Sequence, residues 1–498
     1  MKKMNFDFNK LWEKLLFDEN DRLLFNSSFF LFYFLLVMMI YMFLYRTKLT
    51  HVVFFTLFSL YFFYKCCGWY VSFIMIAAVV DFNLSNWIYR AENKFRKNFL
   101  LIFSITINLG LLAYFKYTDF FIEIINDFEL GQIKPLNLAI PIGISFYTFE
   151  NLSYTIDVYR GKFKPVTSFL DYCFFLSFFP KLIMGPIVRA SDFIPQIRQD
   201  IIVTKEDIGK GLYLILGGLF RKVVVSDFIY SNFVQHVFED PSRHPGVECL
   251  FAVYGYAMVI YCDFSGYSDM AIGMAKWMGF DININFNKPY KASTITDFWR
   301  RWHISLSSWL KDYLYIAFGG NRKGKIRTYI NLMVTMLLGG LWHGASWNFV
   351  LWGGMHGTAL ALDKMWTGFK EKMNWTFKLK NFGWGKILGV IITFHFVCLC
   401  WIFFKAKTWD ISTGMLYQIF HNFSGASFLP MISGYSTVFM IMGIGYLLHF
   451  MPKVIEGKVE YTLVKMPMIG RILIMIFYIW MVIQVKQAEP VMPIYLQF

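Results

Sequence analysis

Two histidines in apolar sequence are the residues best placed to do chemistry. His343 stands in Leu338-Gly339-Gly340-Leu341-Trp342-His343-Gly344-Ala345-Ser346-Trp347-Asn348, with glycines on both sides and apolar runs at 329–338 and 349–362. His303 stands in Asp297-Phe298-Trp299-Arg300-Arg301-Trp302-His303-Ile304-Ser305-Leu306-Ser307. A third polar group, Asp263, Tyr267 and Asp269, interrupts the apolar run around 261–270. Imidazole is the side chain that changes charge near neutral pH, so these positions point to proton handling. An ionisable group at membrane depth is costly unless it faces protein or a water-filled cavity, which makes it a functional candidate by default.

Spacing sharpens the reading. Asp297 and Arg301 are four apart, as are His303 and Ser307, so on a helix each pair would share a face. Trp299, Trp302 and Trp309 supply broad rigid walls with a polar edge. The competing reading of this stretch is an interfacial helix with a tryptophan belt and snorkelling arginines. Asp263 and Asp269 are suited to orient a His or Arg by hydrogen bonding, as the aspartate of a catalytic triad does; the competing reading there is a helix break near Gly266. His356, His395 and His449 read as structural, and His51, His236, His244 and His421 as loop or interfacial residues.

The elements that must position these groups are membrane helices. The chain is 57% hydrophobic, 20% aromatic and only 16% charged, with a mean hydropathy of +0.46. That composition excludes a large soluble enzyme. The net charge of +15 follows from Lys- and Arg-rich loops held in the cytoplasm, so nucleic acid is not expected as a partner. Both ends of the His343 unit meet such loops, at 322–327 and 364–370. The chain therefore enters the bilayer, turns near His343 and returns. Arg327 to His343 is 16 residues, or about 24 Å of helix, which puts His343 past the midplane of a core about 30 Å thick.

The fold expected is an all-α polytopic membrane protein of about 11–12 transmembrane helices. Residues 1–26 form an N-terminal extension, with an interfacial helix as one reading, and 27–498 a single membrane domain. Residues 168–187, broken by Pro180 and Pro186, and residues 297–318 are flanked by basic loops on both sides, so each dips in and returns or lies at the interface. Irregular backbone is tolerated there only around protein or a water-filled cavity, which argues for a central tunnel. The seven cysteines read as small core hydrophobes, and no metal site has ligand spacing. From the residues alone, transfer chemistry and a transporter or channel with a His/Asp relay both remain open.

The stretch 297–310, followed forty positions later by Trp342-His343-Gly344, resembles the membrane-bound O-acyltransferase family. Within it the chain is similar to the bacterial branch of the alginate O-acetyltransferase membrane subunit, the teichoic acid D-alanyl transferase and the peptidoglycan O-acetyltransferase membrane subunit. The segments 261–275, 297–321 and 338–357 carry the resemblance most specifically, with the C-terminal Pro493-Ile494-Tyr495-Leu496-Gln497-Phe498.

The resemblance implies an O-acyltransferase with re-entrant helices around a tunnel. His343 takes the place of the catalytic histidine and His303 that of the second active-site polar residue. It implies no bound cofactor; the acyl donor is a cytosolic thioester, acetyl-CoA or an acyl carrier protein. Acetyl is the expected group, with D-alanyl as the alternative. A hydroxyl is a weak nucleophile until a base takes its proton, and neutral His suits that role. Trp342, Asn348, Trp299 or glycine N–H groups are candidate oxyanion donors. Asp297, Arg300, Arg301, Asp263, Tyr267 and Asp269 are expected in support, and Tyr495 as an acyl relay on the outer side. The expected setting is the cytoplasmic membrane, with an extracytoplasmic SGNH-type transferase as partner and an envelope glycan as final acceptor.

Overall fold

The computed structural model describes residues 13–19, 22–44, 48–373, 383–485 and 492–494. Among them the regular elements are all helical. Five helices are long and apolar enough to cross a membrane: Leu49–Arg90, Lys94–Asp127, Gly246–Trp277, Gly383–Lys405 and Met468–Val485. A sixth span arises if Gly425–Gly434 and Ser436–Phe450, bent by 92°, act together. The chain is thus an all-α polytopic membrane protein. The other apolar segments counted as crossings from the sequence form shorter helices or carry more charge, such as Ile144–Tyr159 and Lys325–His343. The chain falls into two compact units, Met1–Ile202 with Met278–Ile282, and Val203–Trp277 with Asn283–Phe498.

The first unit shows how the proline-interrupted segment is accommodated. Residues 168–187 do not form one helix; Phe169–Ser177 stops short of Pro180, which sits in the first turn of the separate short helix Phe179–Leu182, where its missing N–H costs nothing. Residues 171–188 are buried, so protein surrounds the irregular backbone, as required at membrane depth. Lys181 fixes the segment: its Nζ meets Glu150 Oε2 at 2.5 Å, while Glu150 Oε1 accepts the Val188 N–H at 3.1 Å. Asp81 is closed by Ser104 and Asn108, at 2.5 and 2.8 Å. His51 corrects the loop assignment made from sequence. It lies in the Lys48–Cys67 helix, 1% exposed, with Nδ1 2.9 Å from the Tyr41 hydroxyl.

The second unit is built on the Gly246–Trp277 helix, whose spanning window is 78% buried. It runs unbroken through Gly266, so the helix break weighed from sequence does not occur. Gly266 is there for contact: a Cβ on Gly218 of the Lys205–Leu219 helix would lie 2.5 Å from its carbonyl oxygen. Such backbone-to-backbone crossings are how membrane helices gain packing without a hydrophobic drive between them. The Lys205–Leu219 helix opens on a Thr204/Asp207 capping box. Burial works against the charge of Asp207, but the Thr204 hydroxyl and N–H hold its carboxyl below the usual range.

The predicted turn at His343 is present. The Lys325–His343 helix ends on that residue, and Trp347–Lys372 begins four residues later. The two helices pack closely, since a Cβ on Gly340 would sit 2.3 Å from the Phe349 carbonyl oxygen.

Candidate active site

His303 is delivered by strained backbone. It joins the short helices Ile295–Trp299 and Ile304–Trp309 with φ of 41°, a left-handed conformation that costs a non-glycine residue about 1–3 kcal/mol. The Ile304 N–H bonds the Asn285 carbonyl at 2.9 Å and holds the turn against the 283–288 loop. Asp297 and Arg301 form the expected ion pair at 2.9 Å, each about a third exposed. Arg301 also exchanges backbone contact with Asn287 at 2.9 Å. The pair therefore braces the turn that carries His303. Ser307 spends its hydroxyl on the Trp302 carbonyl at 3.2 Å, and Arg300 is exposed.

Both histidines are buried, His303 at 0% and His343 at 3% exposure. Trp342 brings them together: its ring lies 6.1 Å from that of His303 and 4.9 Å from that of His343. Edge-to-face aromatic contacts surround both. Phe264 meets His303 at 4.6 Å, while Trp352 and Phe404 meet His343 at 5.0 and 5.1 Å. An aromatic shell of this kind keeps bulk water away and strengthens the electrostatic contacts inside it.

The supporting residues divide. Asn348 gives both amide hydrogens away, to the Ala406 and Thr408 carbonyls at 3.0 and 3.2 Å. It ties the start of its helix to the 406–408 turn and has no N–H left for an oxyanion. Trp299 donates to Nδ1 of the buried His356 at 3.3 Å, which leaves Trp342 and backbone N–H groups as the donors from the expected set. Asp269 pairs with Arg221, and Tyr267 is wholly buried on the same helix.

Asp263 has partners that the sequence did not reveal. One oxygen meets Lys222 at 2.6 Å, and Lys222 also meets Asp227 at 2.6 Å. The other oxygen accepts the Ile494 N–H at 2.8 Å. The C-terminal segment is thereby drawn into the same buried apolar cluster as Trp299, Trp302 and Trp352. Tyr495, the next residue, lies outside the described residues. Asn285, Lys222, Phe264 and Trp352 are the site residues that sequence reading missed. Asn285 is the middle one of three alternating asparagines, Asn283, Asn285 and Asn287, and nothing in that pattern singles it out; Lys222 stands beside Arg221 in an apolar stretch.

All seven cysteines are buried and unpaired with one another. Among the described residues no group of three or more His, Cys, Asp or Glu is placed to hold a metal ion.

The sequence pattern of the membrane-bound O-acyltransferase family matches residues 111–404, and the chain belongs to that family. It is 35% identical over 424 residues to a peptidoglycan O-acetyltransferase of Helicobacter pylori, covering 79% of each chain. It is 38% identical over 413 residues to a protein of Pseudomonas aeruginosa named "Probable alginate O-acetylase", covering 80% of this chain and 75% of that one. A teichoic acid D-alanyltransferase of Bacillus subtilis is 30% identical over 284 residues, covering 55% and 70%. The chain is a multi-pass membrane O-acyltransferase, and the open alternative of a transport relay falls away.

Proposed function

We propose that the second unit moves an acetyl group from a cytosolic thioester, acetyl-CoA or an acylated carrier protein, to a hydroxyl destined for an envelope polysaccharide. The observation that carries this reading is the meeting of two buried histidines around Trp342, in the unit whose C-terminal segment is seated on Asp263. His343 takes the hydroxyl proton as that oxygen attacks the thioester carbonyl. A C–O bond forms, the C–S bond breaks, and the thiolate leaves to take up a proton. Trp342 N–H and backbone N–H groups face the charge that develops on the carbonyl oxygen. The basic loops attract an anionic donor to the cytoplasmic mouth of a tunnel.

Ile494, seated on Asp263, immediately precedes Tyr495, which favours Tyr495 as the first acceptor. Its phenol would carry the acetyl group to an extracytoplasmic SGNH-type transferase in the cytoplasmic membrane of a bacterium. D-alanyl transfer is the alternative for the group carried.

The test is thiol release from acetyl-CoA by purified protein. Release by the wild type and its loss in His343→Ala, at unchanged detergent stability, is expected; near-normal release by the variant overturns the assignment. Intact-mass analysis of trapped turnover should show an acetyl adduct that Tyr495→Phe removes. A fully active Tyr495→Phe protein with no adduct in the wild type would sink the relay.

A further inference from the structure

Asn285 fixes which nitrogen of His303 carries hydrogen. Its Oδ1 accepts the Ser305 backbone N–H at 3.2 Å and the Ser305 hydroxyl at 2.9 Å, while its Nδ2 donates to the Ser268 hydroxyl at 3.2 Å. A backbone N–H can only donate, so the amide atom facing it is the oxygen, and the amide orientation is settled by that contact. His303 Nδ1 lies 3.1 Å from the same oxygen. Two lone pairs at that separation would repel, so Nδ1 carries the hydrogen and donates it. The one Ser305 hydroxyl hydrogen goes to Asn285 at 2.9 Å rather than to Nδ1 at 3.5 Å. In neutral imidazole the lone pair is then on Nε2.

We propose that Asn285 is a positioning residue for acyl transfer: it holds His303 as the Nδ1–H tautomer, so that Nε2 offers a lone pair, not an N–H, to the reacting groups. The inference rests on the two-histidine reading of the site. It keeps His303 from donating to the thioester carbonyl, for which the other tautomer would present an N–H, and leaves the hydroxyl proton to His343. The left-handed backbone at His303, 41° in φ, fits such a role, since strain of this kind persists where the surroundings over-determine a geometry.

The ionisable groups on the elements around His303 are largely engaged elsewhere. Asp263 is held by Lys222, Asp269 by Arg221, Arg301 by Asp297 and Lys288 by Glu456. Tyr261, Cys262, Tyr267, Tyr290 and His343 also lie on these elements, and all are present in wild type and variant alike. A pH shift on changing Asn285 alone is therefore a report on the Asn285–His303 contact.

Histidine-selective 15N NMR of the full chain, with His303→Gln to identify the resonance, should find Nδ1 protonated and Nε2 bare. An Nε2-protonated ring overturns the proposal. Asn285→Asp keeps the acceptor for Ser305 and places a carboxylate against Nδ1. It favours imidazolium, so the acidic limb of the thiol-release profile should move up by roughly one pH unit or more. An unmoved limb also overturns it; if this variant fails to fold, the wild-type NMR decides. Wild-type turnover by His303→Gln would instead sink the two-histidine reading, an outcome distinct from either of these.

Discussion

Each unit of the molecule buries a lysine against carboxylate, and the two arrangements differ by one charge. In the first unit Lys181 meets Glu150 alone, and Glu150 uses its second oxygen on the Val188 N–H. In the second, Lys222 meets both Asp227 and Asp263, and Asp263 uses its second oxygen on the Ile494 N–H. Both lysine side chains are fully out of solvent. The Lys181 pair balances its charge and pins a proline-broken segment. The Lys222 group carries one more carboxylate than cation, and through Asp263 it holds Ile494 of the C-terminal segment. Burying unbalanced charge costs stability. Its presence on the helix that also carries Phe264 and Ser268 separates a site from a staple.

That contrast fails or sharpens in a graded series. The largest effect belongs to the histidine that no staple involves: His343→Ala should lower thiol release by about 100- to 10,000-fold, the range for losing a general base. A melting temperature in detergent near that of wild type would accompany it; a large fall in melting temperature would instead make His343 part of the packing. Glu150→Ala leaves Lys181 buried without its partner and should cost about 3–5 kcal/mol of stability. Thermal melts read this directly, and a small loss would mean that the pin is dispensable. Asp263→Asn cannot offer oxygen to both Lys222 and Ile494, so one contact is lost, at about 1–3 kcal/mol. Acetyl transfer to Tyr495 should fall more than thiol release does; equal losses would argue against a seated C-terminal segment. Asp227→Asn is the mildest change, because its amide oxygen can still face Lys222 while the excess charge goes. Its melting temperature should stay level or rise, and a clear fall would show that the second aspartate is needed as a charge.

Much of the histidine pair was legible in the sequence because bilayer physics makes polar residues conspicuous. His343 stood out between apolar runs bounded by basic loops, and the turn at 344–346 follows the glycine-rich sequence around it. Asp297 and Arg301 were readable as a pair from their spacing alone. The segment broken by Pro180 and Pro186 was correctly read as unable to cross as one helix. Other residues were not legible, for a common reason. Lys222 stands beside Arg221 in an otherwise apolar stretch, and its two aspartates lie five and forty-one positions away. Asn348 looked like an oxyanion donor because nothing local showed that Ala406 and Thr408, some sixty residues on, take both its hydrogens. His51 looked interfacial because its partner Tyr41 belongs to the preceding helix.

Local chemistry and hydropathy therefore determined the all-α membrane setting and the two histidines, since each follows from residue types over one or two helical lengths, while acyl transfer came from the family resemblance. Tertiary structure alone decided which polar groups are spoken for. A hydrogen bond is a statement about two atoms within about 3 Å, and here the deciding pairs join positions far apart in the chain. Asn285 to His303, Lys222 to Asp263 and Asp263 to Ile494 became visible only once the helices were packed.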